Sequence, residues 1–194
     1  MLFFFKHSKP AGMMQYDEKK VVEMLADPQT RRKAFEQVVR YYSSPLYWKI
    51  RRIVLVHEDA DDVLQNTFLK AWANLSDFKN LSKISTWLYS IAVNEALDFL
   101  RRQKNKKTTS TADAAGVANM LMADTYFDGD KTMALLQEAI ATLPDVQRTV
   151  FTLRYFDNMK YSDMSQMLKT SEGALKASFH IASQKVTTYV KMRE

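Results

Sequence analysis

The chain has 194 residues, of which 26% are charged, and a formal net charge of +6, which permits a polyanionic partner such as nucleic acid. It contains no cysteine, which excludes disulfides and thiolate metal sites, and its 3 scattered histidines do not suggest a zinc cluster. Only 4 Gly and 4 Pro are present, which disfavours a turn-rich β sandwich and favours an all-α fold.

Periodicity and composition divide the chain into four segments. We expect residues 1–17 to be a disordered or extraneous tail, in which Met13 and Met14 are alternative starts. Residues 18–104 and 131–194 predict two small helical domains. Residues 105–130 predict a flexible linker, because Lys, Thr, Ser, Ala and Asp dominate its first half. Its second half is too apolar for a pure spacer.

In the first predicted domain, an apolar stripe runs from Ala34 to Val54, and Pro45 predicts a kink or the first turn of a new helix. Asp59 is a predicted N-cap. The helix that follows has a predicted buried face, residues 78–83 predict a loop, and Ser85 is the predicted cap of the next helix. That buried face comprises Leu64, Phe68, Ala71, Trp72 and Leu75.

The second predicted domain contains four helices. Pro144 begins the second of them, whose inward residues are predicted to be Val146, Val150 and Leu153. Asp157 and Asn158 predict a turn. Ser162 and Ser171 are the predicted caps of the third and fourth helices.

Residues 161–180, YSDMSQMLKTSEGALKASFH, have the layout of a helix-turn-helix. Gly173 and Ala177 would let DNA approach the backbone, and Lys176 could reach a guanine edge or a phosphate. Lys169 stands where the turn favours a left-handed residue, usually glycine. An amphipathic four-helix bundle without DNA binding gives the same apolar pattern.

The acidic stretch HEDADD, residues 57–62, has three interpretations. A metal or acid–base site needs carboxylates that converge, whereas adjacent residues on a helix point apart. Helix capping with a solvated face is favoured over such a site. The third interpretation fits better: a polar strip beside an apolar one suits docking on a basic partner helix. This strip comprises Asp61, Asp62, Gln65 and Asn66.

Residues 78–107 combine aromatic side chains with cations, which is typical of single-stranded DNA binding. Trp87 and Tyr89 are preceded by Lys79, Asn80 and Lys83. The helix ends in cations at residues 101, 102, 104, 106 and 107. The alternative is that the aromatic residues belong to the core and that the cations are a solvated helix end.

These blocks together resemble the extracytoplasmic-function group of bacterial sigma factors. DADDVLQNTFLKAWANLSDF resembles the core-polymerase-binding motif, and STWLYSIAVNEALDFLRR resembles the helix that recognises and melts the −10 element. LPDVQRTVFTLRYFDNMKYSDMSQMLKTSEGALKASFHIASQKV resembles the −35-binding domain. The chain departs from the family at Asn66, where Glu is common, at Lys169, and at Phe179 and His180, where a more basic pair is usual.

The resemblance implies an all-α protein of two small helical domains joined by a flexible linker, the C-terminal one containing the helix-turn-helix. It implies core-polymerase contacts from Asp59, Asp61, Asp62, Gln65, Asn66, Phe68, Leu69 and Trp72. It implies −10 contacts from Lys79, Asn80, Lys83, Ser85, Thr86, Trp87, Tyr89, Ser90, Asn94, Arg101 and Arg102. It implies −35 contacts from Arg154, Tyr161, Ser162, Ser171, Glu172, Gly173, Lys176, Ala177, His180 and Gln184.

The implied partners are promoter DNA and core RNA polymerase, through its β and β′ subunits, in the cytoplasm. Family members are often silenced by an anti-sigma factor, commonly membrane-anchored, and the sequence identifies none. The resemblance implies no catalysis, cofactor, metal or small-molecule substrate.

Two other classes of protein remain as alternatives. An autonomous helix-turn-helix regulator would bind duplex DNA without polymerase, and it leaves residues 59–72 unexplained. A metal-dependent hydrolase using His57, Glu58 and Asp59 would need convergent ligands that the sequence does not supply.

Overall fold

The computed structural model describes residues 16–78, 83–106 and 131–193, apart from the side chains of residues 77, 105 and 106. The predicted linker from residue 107 onward and the predicted tail up to residue 15 lie outside the described residues. The N-terminal module (residues 16–106) contains α1 (Glu18–Ala26), α2 (Arg31–Val54), α3 (His57–Ala73), a short 3-10 helix (Leu75–Asp77) and α4 (Ile84–Lys106). The C-terminal module (residues 131–193) contains α5 (Lys131–Ala141), α6 (Asp145–Tyr155), α7 (Tyr161–Leu168) and α8 (Glu172–Lys191). The described part of the chain contains no strand, and the all-α prediction is confirmed.

Helix α2 is continuous through Pro45, so the prediction that a new helix begins there is wrong. Proline removes one backbone donor, which costs the helix a bond to the carbonyl four residues earlier. Leu46, Tyr47 and Ile50, just beyond the proline, are almost completely buried. Their burial in the core of the protein holds the chain in the helix despite the missing hydrogen bond.

Three of the four predicted helix caps are wrong. Helix α3 begins at His57, before Asp59, and the first residue of α7 is Tyr161, before Ser162. Helix α4 begins at Ile84, before Ser85, and the N–H of Ile84 donates to Oε1 of Glu18 at 3.1 Å. The fourth prediction is confirmed, because the Ser171 side chain accepts a hydrogen bond from the N–H of Ala174 at the start of α8.

The core of the N-terminal module lies between α2, α3 and α4. Buried aliphatic residues such as Ile50, Val63 and Leu88 fill it from the three helices. Helix α1 covers α2 with Val21 and Leu25. Tyr16 and Asp17, assigned by sequence to the tail, are ordered here: Tyr16 stacks on Tyr41 at 4.0 Å, and Asp17 caps α1.

In the C-terminal module, α8 packs across α5, α6 and α7. Ile140, Phe151 and Ala182 lie in its core. Buried Glu138 accepts from the Tyr189 hydroxyl at 2.6 Å and pairs with Arg193, which fixes the end of α8 on α5. Val146 was predicted to point inward but is 64% exposed.

The two modules are packed against each other. Helix α6 contacts α2, and α7 contacts α4. Val150, Leu153, Met164 and Leu175 of the C-terminal module belong to the same buried cluster as the N-terminal core. The two predicted helical domains are therefore in contact with each other in the described part of the chain.

Candidate nucleic-acid interface

The outer face of α8 is exposed and bears small and polar side chains. Ser171, Glu172, Gly173, Lys176, Ala177, His180 and Gln184 are all exposed. A Cβ added at Gly173 would meet no atom within 4 Å, so the protein itself does not require glycine there. The side chains that hold α8 in place, Leu175 and Ala182, lie on the opposite face and are buried. The helix can therefore be approached closely along its N-terminal half.

Helices α7 and α8 are joined by a tight turn that a non-glycine residue adopts. Lys169 has φ 51 and lies in the left-handed region, and its N–H donates to the carbonyl of Ser165. Such a conformation costs a non-glycine residue about 1 kcal/mol. Met164 and Leu175, both buried, fill the crossing of the two helices. The left-handed turn residue predicted from sequence is thus confirmed.

Two cations lie near the Tyr161 ring at the edge of this face. The Lys176 ammonium is 5.6 Å and the Arg154 guanidinium 5.1 Å from the centre of the ring. Arg154 also donates to the carbonyl of Met159 at 3.1 Å, so part of its hydrogen-bonding capacity supports the fold. Lys176 is within 3.7 Å of Glu172 and remains exposed. Ser162 is exposed at the start of α7.

Helix α3 presents a second surface, in which carboxylate and amide groups adjoin exposed apolar side chains. Asp62, Gln65 and Asn66 are exposed. Leu69 is 61% and Trp72 43% exposed, and the indole packs on the Phe35 ring at 5.0 Å. Exposed large apolar side chains beside polar ones are typical of protein–protein contacts.

Three of the predicted contact residues on α3 interact with other residues of the chain. Phe68 is only 6% exposed and packs edge-on against Phe35 at 6.4 Å, because it lies on the face of α3 that α2 covers. The Asp59 carboxylate accepts from Nε2 of Gln103 at 3.1 Å, which joins α3 to α4. Asp61 is half-buried and lies 3.5 Å from Nε2 of His57, whose Nδ1 is hydrogen-bonded to the Tyr47 hydroxyl at 2.6 Å.

A third surface follows α4 from its N-terminus to its basic end. Lys83, Thr86, Asn94, Arg101 and Arg102 are exposed, and Ser85, Trp87, Tyr89 and Ser90 are half-buried. The Trp87 ring lies 5.1 Å from that of Phe78. Arg101 is 2.9 Å from the Asp98 carboxylate. The predictions for Lys79 and Asn80 fall outside the described residues.

Tyr89 is linked to the C-terminal module through Lys49. The Lys49 ammonium lies 4.2 Å from the centre of the Tyr89 ring and donates to Oδ2 of Asp157 at 2.5 Å. Burial lowers the pKa of Lys49, an effect that Asp157 opposes, and burial raises the pKa of Tyr89. Sequence patterns did not single out Lys49, because a lysine within a helical stripe ordinarily signals a solvated face.

Glu18 is a second functional residue that no sequence pattern indicated: its carboxylate accepts a hydrogen bond from the N–H of Ile84 and so caps α4. This carboxylate also interacts electrostatically with Tyr16 and Tyr42. Burial, with a contribution from Glu18, raises the pKa of Tyr42 to about 12. No local sequence signal connects Glu18 with a helix that begins 66 residues later.

In the described residues, no three His, Cys, Asp or Glu side chains are arranged to hold a metal ion. The same residues also include no helix that is long and apolar enough to cross a membrane.

Comparison with protein families gives two matches, in the order that the sequence motifs predict. Residues 38–106 match the model of sigma-70 region 2, and residues 133–186 match that of sigma-70 region 4. The first match includes α3 and α4, and the second includes the helix-turn-helix.

Curated relatives and a solved structure agree with these matches. The chain is 31% identical to the ECF RNA polymerase sigma factor SigW of Bacillus subtilis over 157 residues, which are 76% of this chain and 83% of SigW. It is 32% identical to the ECF sigma factor SigM of Mycobacterium tuberculosis over 146 residues, 75% of this chain and 71% of SigM. A similar fold is found in the sigma factor RpoE of Bartonella quintana, which was solved in complex with the anti-sigma factor NepR. The TM-score is 0.63 at 20% sequence identity, and the match covers 84% of this chain and 99% of RpoE.

The chain therefore belongs to the extracytoplasmic-function group of bacterial RNA polymerase sigma factors. It is a promoter-specificity factor for transcription initiation, and the alternative of an autonomous regulator is not favoured.

Proposed function

We propose that this sigma factor uses the three surfaces described above at the same time, one for polymerase and two for promoter DNA. Helix α3 binds the β′ coiled coil, the N-terminal half of α4 receives the opened −10 strand, and α8 enters the −35 major groove while its module sits near the β flap. The observation that carries this proposal is that both regions are present in one chain and the outer face of α8 is exposed. Residues 18–104 and 131–194 are the two functional domains of this proposal.

The proposed polymerase contact centres on Leu69 and Trp72. Both side chains are exposed in the free chain, and Trp72 is held in place by Phe35. A preordered aromatic residue binds with little loss of side-chain entropy, which is why tryptophan is enriched at binding hot spots. Asp62, Gln65 and Asn66 at the rim give the face a polar strip for a basic partner helix.

The proposed −10 contact combines stacking with charge. Trp87 offers a half-buried ring beside exposed Lys83 and Thr86. Removing a base from the duplex costs a few kcal/mol of stacking free energy. Contacts between the protein and the captured base offset this cost. Arg101 and Arg102 extend the positive surface for the phosphate backbone. DNA opening by this route requires binding energy alone, so we propose no catalytic activity for the chain.

The proposed −35 contact is made by the exposed face of α8. Lys176 is the cation best placed for a guanine edge or a phosphate, because Arg154 is partly committed to the Met159 carbonyl. Because Gly173 and Ala177 have small side chains, the walls of the major groove can come close to the helix backbone there. Tyr161, Ser162 and Ser171 border this face and are proposed to position the module on phosphates.

We also propose that the chain works in the cytoplasm, where RNA polymerase is found, and that it takes an anti-sigma partner. RpoE of Bartonella quintana is solved in complex with the anti-sigma factor NepR, and a second structural neighbour, CnrH, is solved in complex with the cytosolic domain of CnrY.

Transcription with and without polymerase tests the proposal. Purified chain alone should bind promoter duplex weakly or not at all in a gel shift. With core polymerase it should give run-off transcripts from a defined subset of a random promoter library. Tight binding of a palindrome by the chain alone, with no added effect of core polymerase, would restore the autonomous-regulator alternative.

A further inference from the structure

A cavity of about 160 Å³ lies where α4 meets the C-terminal module. The aliphatic part of its lining comes from four helices and comprises Leu97 and Leu100 of α4, Val146 of α6, Leu168 of α7 and Leu175 of α8. Leu100 and Leu175 are buried, whereas Val146 is exposed, so one end of the cavity lies in the interior and the other opens to solvent. An apolar cavity of about 150 Å³ holds one benzene molecule. The cavity therefore has room for one small ring.

The charged side chains at the mouth of this cavity favour an anion. Arg101, Lys104 and Asp145 are part of its lining. The Asp145 carboxylate is shared, because Oδ2 lies 2.7 Å from Nζ of Lys104 and Oδ1 lies 2.7 Å from Nη2 of Arg148. Arg101 lies 2.9 Å from the Asp98 carboxylate. Three cations thus face two carboxylates, which leaves one positive charge in excess for a ligand to neutralise.

The two hydroxyl groups of the lining are already used as donors. Thr149 donates to the carbonyl of Asp145 at 2.8 Å, and Thr170 donates to the carbonyl of Leu168 at 3.1 Å. A hydroxyl has one proton, so neither group can donate to a bound anion at the same time. The guanidinium and the ammonium at the mouth each have several N–H groups, of which an ion pair uses only part. The charge of a ligand would therefore be held by these two cations.

We propose that this cavity is a binding site for a small aryl carboxylate. The ring fills the buried end against Leu100 and Leu175, and the carboxylate pairs with Arg101 and Lys104 at the mouth. Burial and charge favour the same orientation, because the aliphatic end of the lining is buried and the cationic end is exposed. An apolar pocket with a few polar groups at one side is the usual form of a small-molecule site.

A bound acid also affects the proposed −10 contact, because Arg101 belongs to both sites. This consequence rests on the proposed function, whereas the binding site itself does not. The Arg101 guanidinium is proposed to hold the phosphate backbone of the opened strand. A carboxylate paired with it competes with phosphate for the same N–H groups. The chain thus responds directly to a small acid, through a site separate from its protein-binding face on α3.

Titration of the full chain with benzoate, followed by methyl NMR, tests the site. Benzoate should give saturable shifts of the methyl signals of Val146, Leu168 and Leu175. Benzamide has nearly the same shape without the charge and should bind about fivefold more weakly, because an ion pair at an exposed mouth contributes modestly. Acetate lacks the ring and should give no saturable shift. Absence of saturable shifts with benzoate, or equal affinities for benzoate and benzamide, would overturn the proposal.

Two substitutions test where the acid binds. Val146→Trp adds bulk at the exposed mouth without straining the core and should largely abolish benzoate binding. Lys104→Gln removes one cation and should weaken benzoate about threefold while leaving the affinity for benzamide unchanged. Ile181→Trp and Lys191→Gln make the same changes at exposed residues outside the lining and should bind benzoate like wild type. Wild-type affinity in both the Val146 and the Lys104 variants would overturn the site.

Run-off transcription separates the effect of the acid from the site itself. With wild-type chain and core polymerase, saturating benzoate should lower promoter-specific transcription several-fold relative to the same concentration of acetate. Reactions with the Val146→Trp protein should be insensitive, which also shows that benzoate does not inhibit the polymerase. Saturable binding without any effect on transcription would overturn the competition at Arg101. Absence of promoter-specific transcripts without any acid would overturn the proposed function, and the benzoate titration would then decide on the site alone.

Discussion

The exposed faces of α3 and α8 differ in the chemistry they present. Helix α3 displays Leu69 and Trp72 beside a polar strip, whereas the outer face of α8 displays small and polar residues around Lys176. An apolar face gains by excluding water from a complementary protein surface. A low, polar face allows the close approach and hydrogen bonding that a DNA groove requires. The two faces are therefore suited to different kinds of partner, and substitutions should separate their effects.

The largest expected effect is on polymerase binding. Leu69→Asp places a charge within the exposed apolar part of α3 and should weaken affinity for core by about 2 kcal/mol or more, roughly 30-fold. The unfolding midpoint should stay unchanged because the side chain is 61% exposed. Fluorescence titration with core measures the affinity. Met192→Asp makes the same change at an 80% exposed residue near the end of α8 and should have no effect; equal losses in both variants would contradict the assignment.

The converse substitution is Lys176→Ala on α8. It should reduce transcription from a −35-dependent promoter about tenfold while affinity for core stays at the wild-type value. The exposed pair with Glu172 adds little stability, so the protein should remain folded. Lys191→Ala removes one charge from the other end of the same helix and serves as the control. Parallel loss of core binding and promoter use would indicate misfolding instead.

A smaller effect is expected where α1 supports the start of α4. Glu18→Ala removes the acceptor for the Ile84 N–H and should cost about 0.5–1.5 kcal/mol of stability. Because α4 begins at the proposed −10 surface, promoter opening should also decline, as measured by permanganate reactivity of unpaired thymines. Glu18→Gln keeps a carbonyl acceptor and should restore most of the opening. Glu23→Ala, an exposed carboxylate of α1, is the control; the proposed positioning role is wrong if all three variants open promoters like wild type.

The smallest change has opposite expected effects on stability and function. Gly173→Ala meets open space in the free chain and should raise the free energy of unfolding by up to about 1 kcal/mol. On DNA the added methyl group should hinder approach of the helix and reduce −35-dependent transcription a few-fold. Thermal unfolding and run-off assays measure the two effects. A stabilised protein with undiminished transcription would show that α8 does not approach DNA closely at this residue.

Features that depend on neighbouring residues were predictable from sequence. The Ser171 side chain accepts a hydrogen bond from an N–H only three residues away. The left-handed conformation of Lys169 follows from the short spacing between α7 and α8. The helix-turn-helix could thus be recognised from local pattern alone. The DNA-contact roles of its residues stay predictions until tested.

Features that depend on distant residues were not predictable in this way. Glu18 caps a helix 66 positions away, and Asp157 reaches Lys49 across 108 positions. Local signals favoured Ser85 as the cap and assigned no role to Lys49. The packing of the two modules is the same kind of feature, because it arises from side chains whose partners are set only by the tertiary fold.

The central claim is that both modules contact one promoter at once while the chain is bound to polymerase. Changing the spacing between the −35 and −10 elements of a selected promoter tests it most directly. Insertion of about 5 base pairs turns one element by about half a helical turn relative to the other. Run-off transcription with core polymerase should then be nearly abolished although both elements remain intact. Transcription that persists at the original level would mean that the two modules do not bind the promoter together.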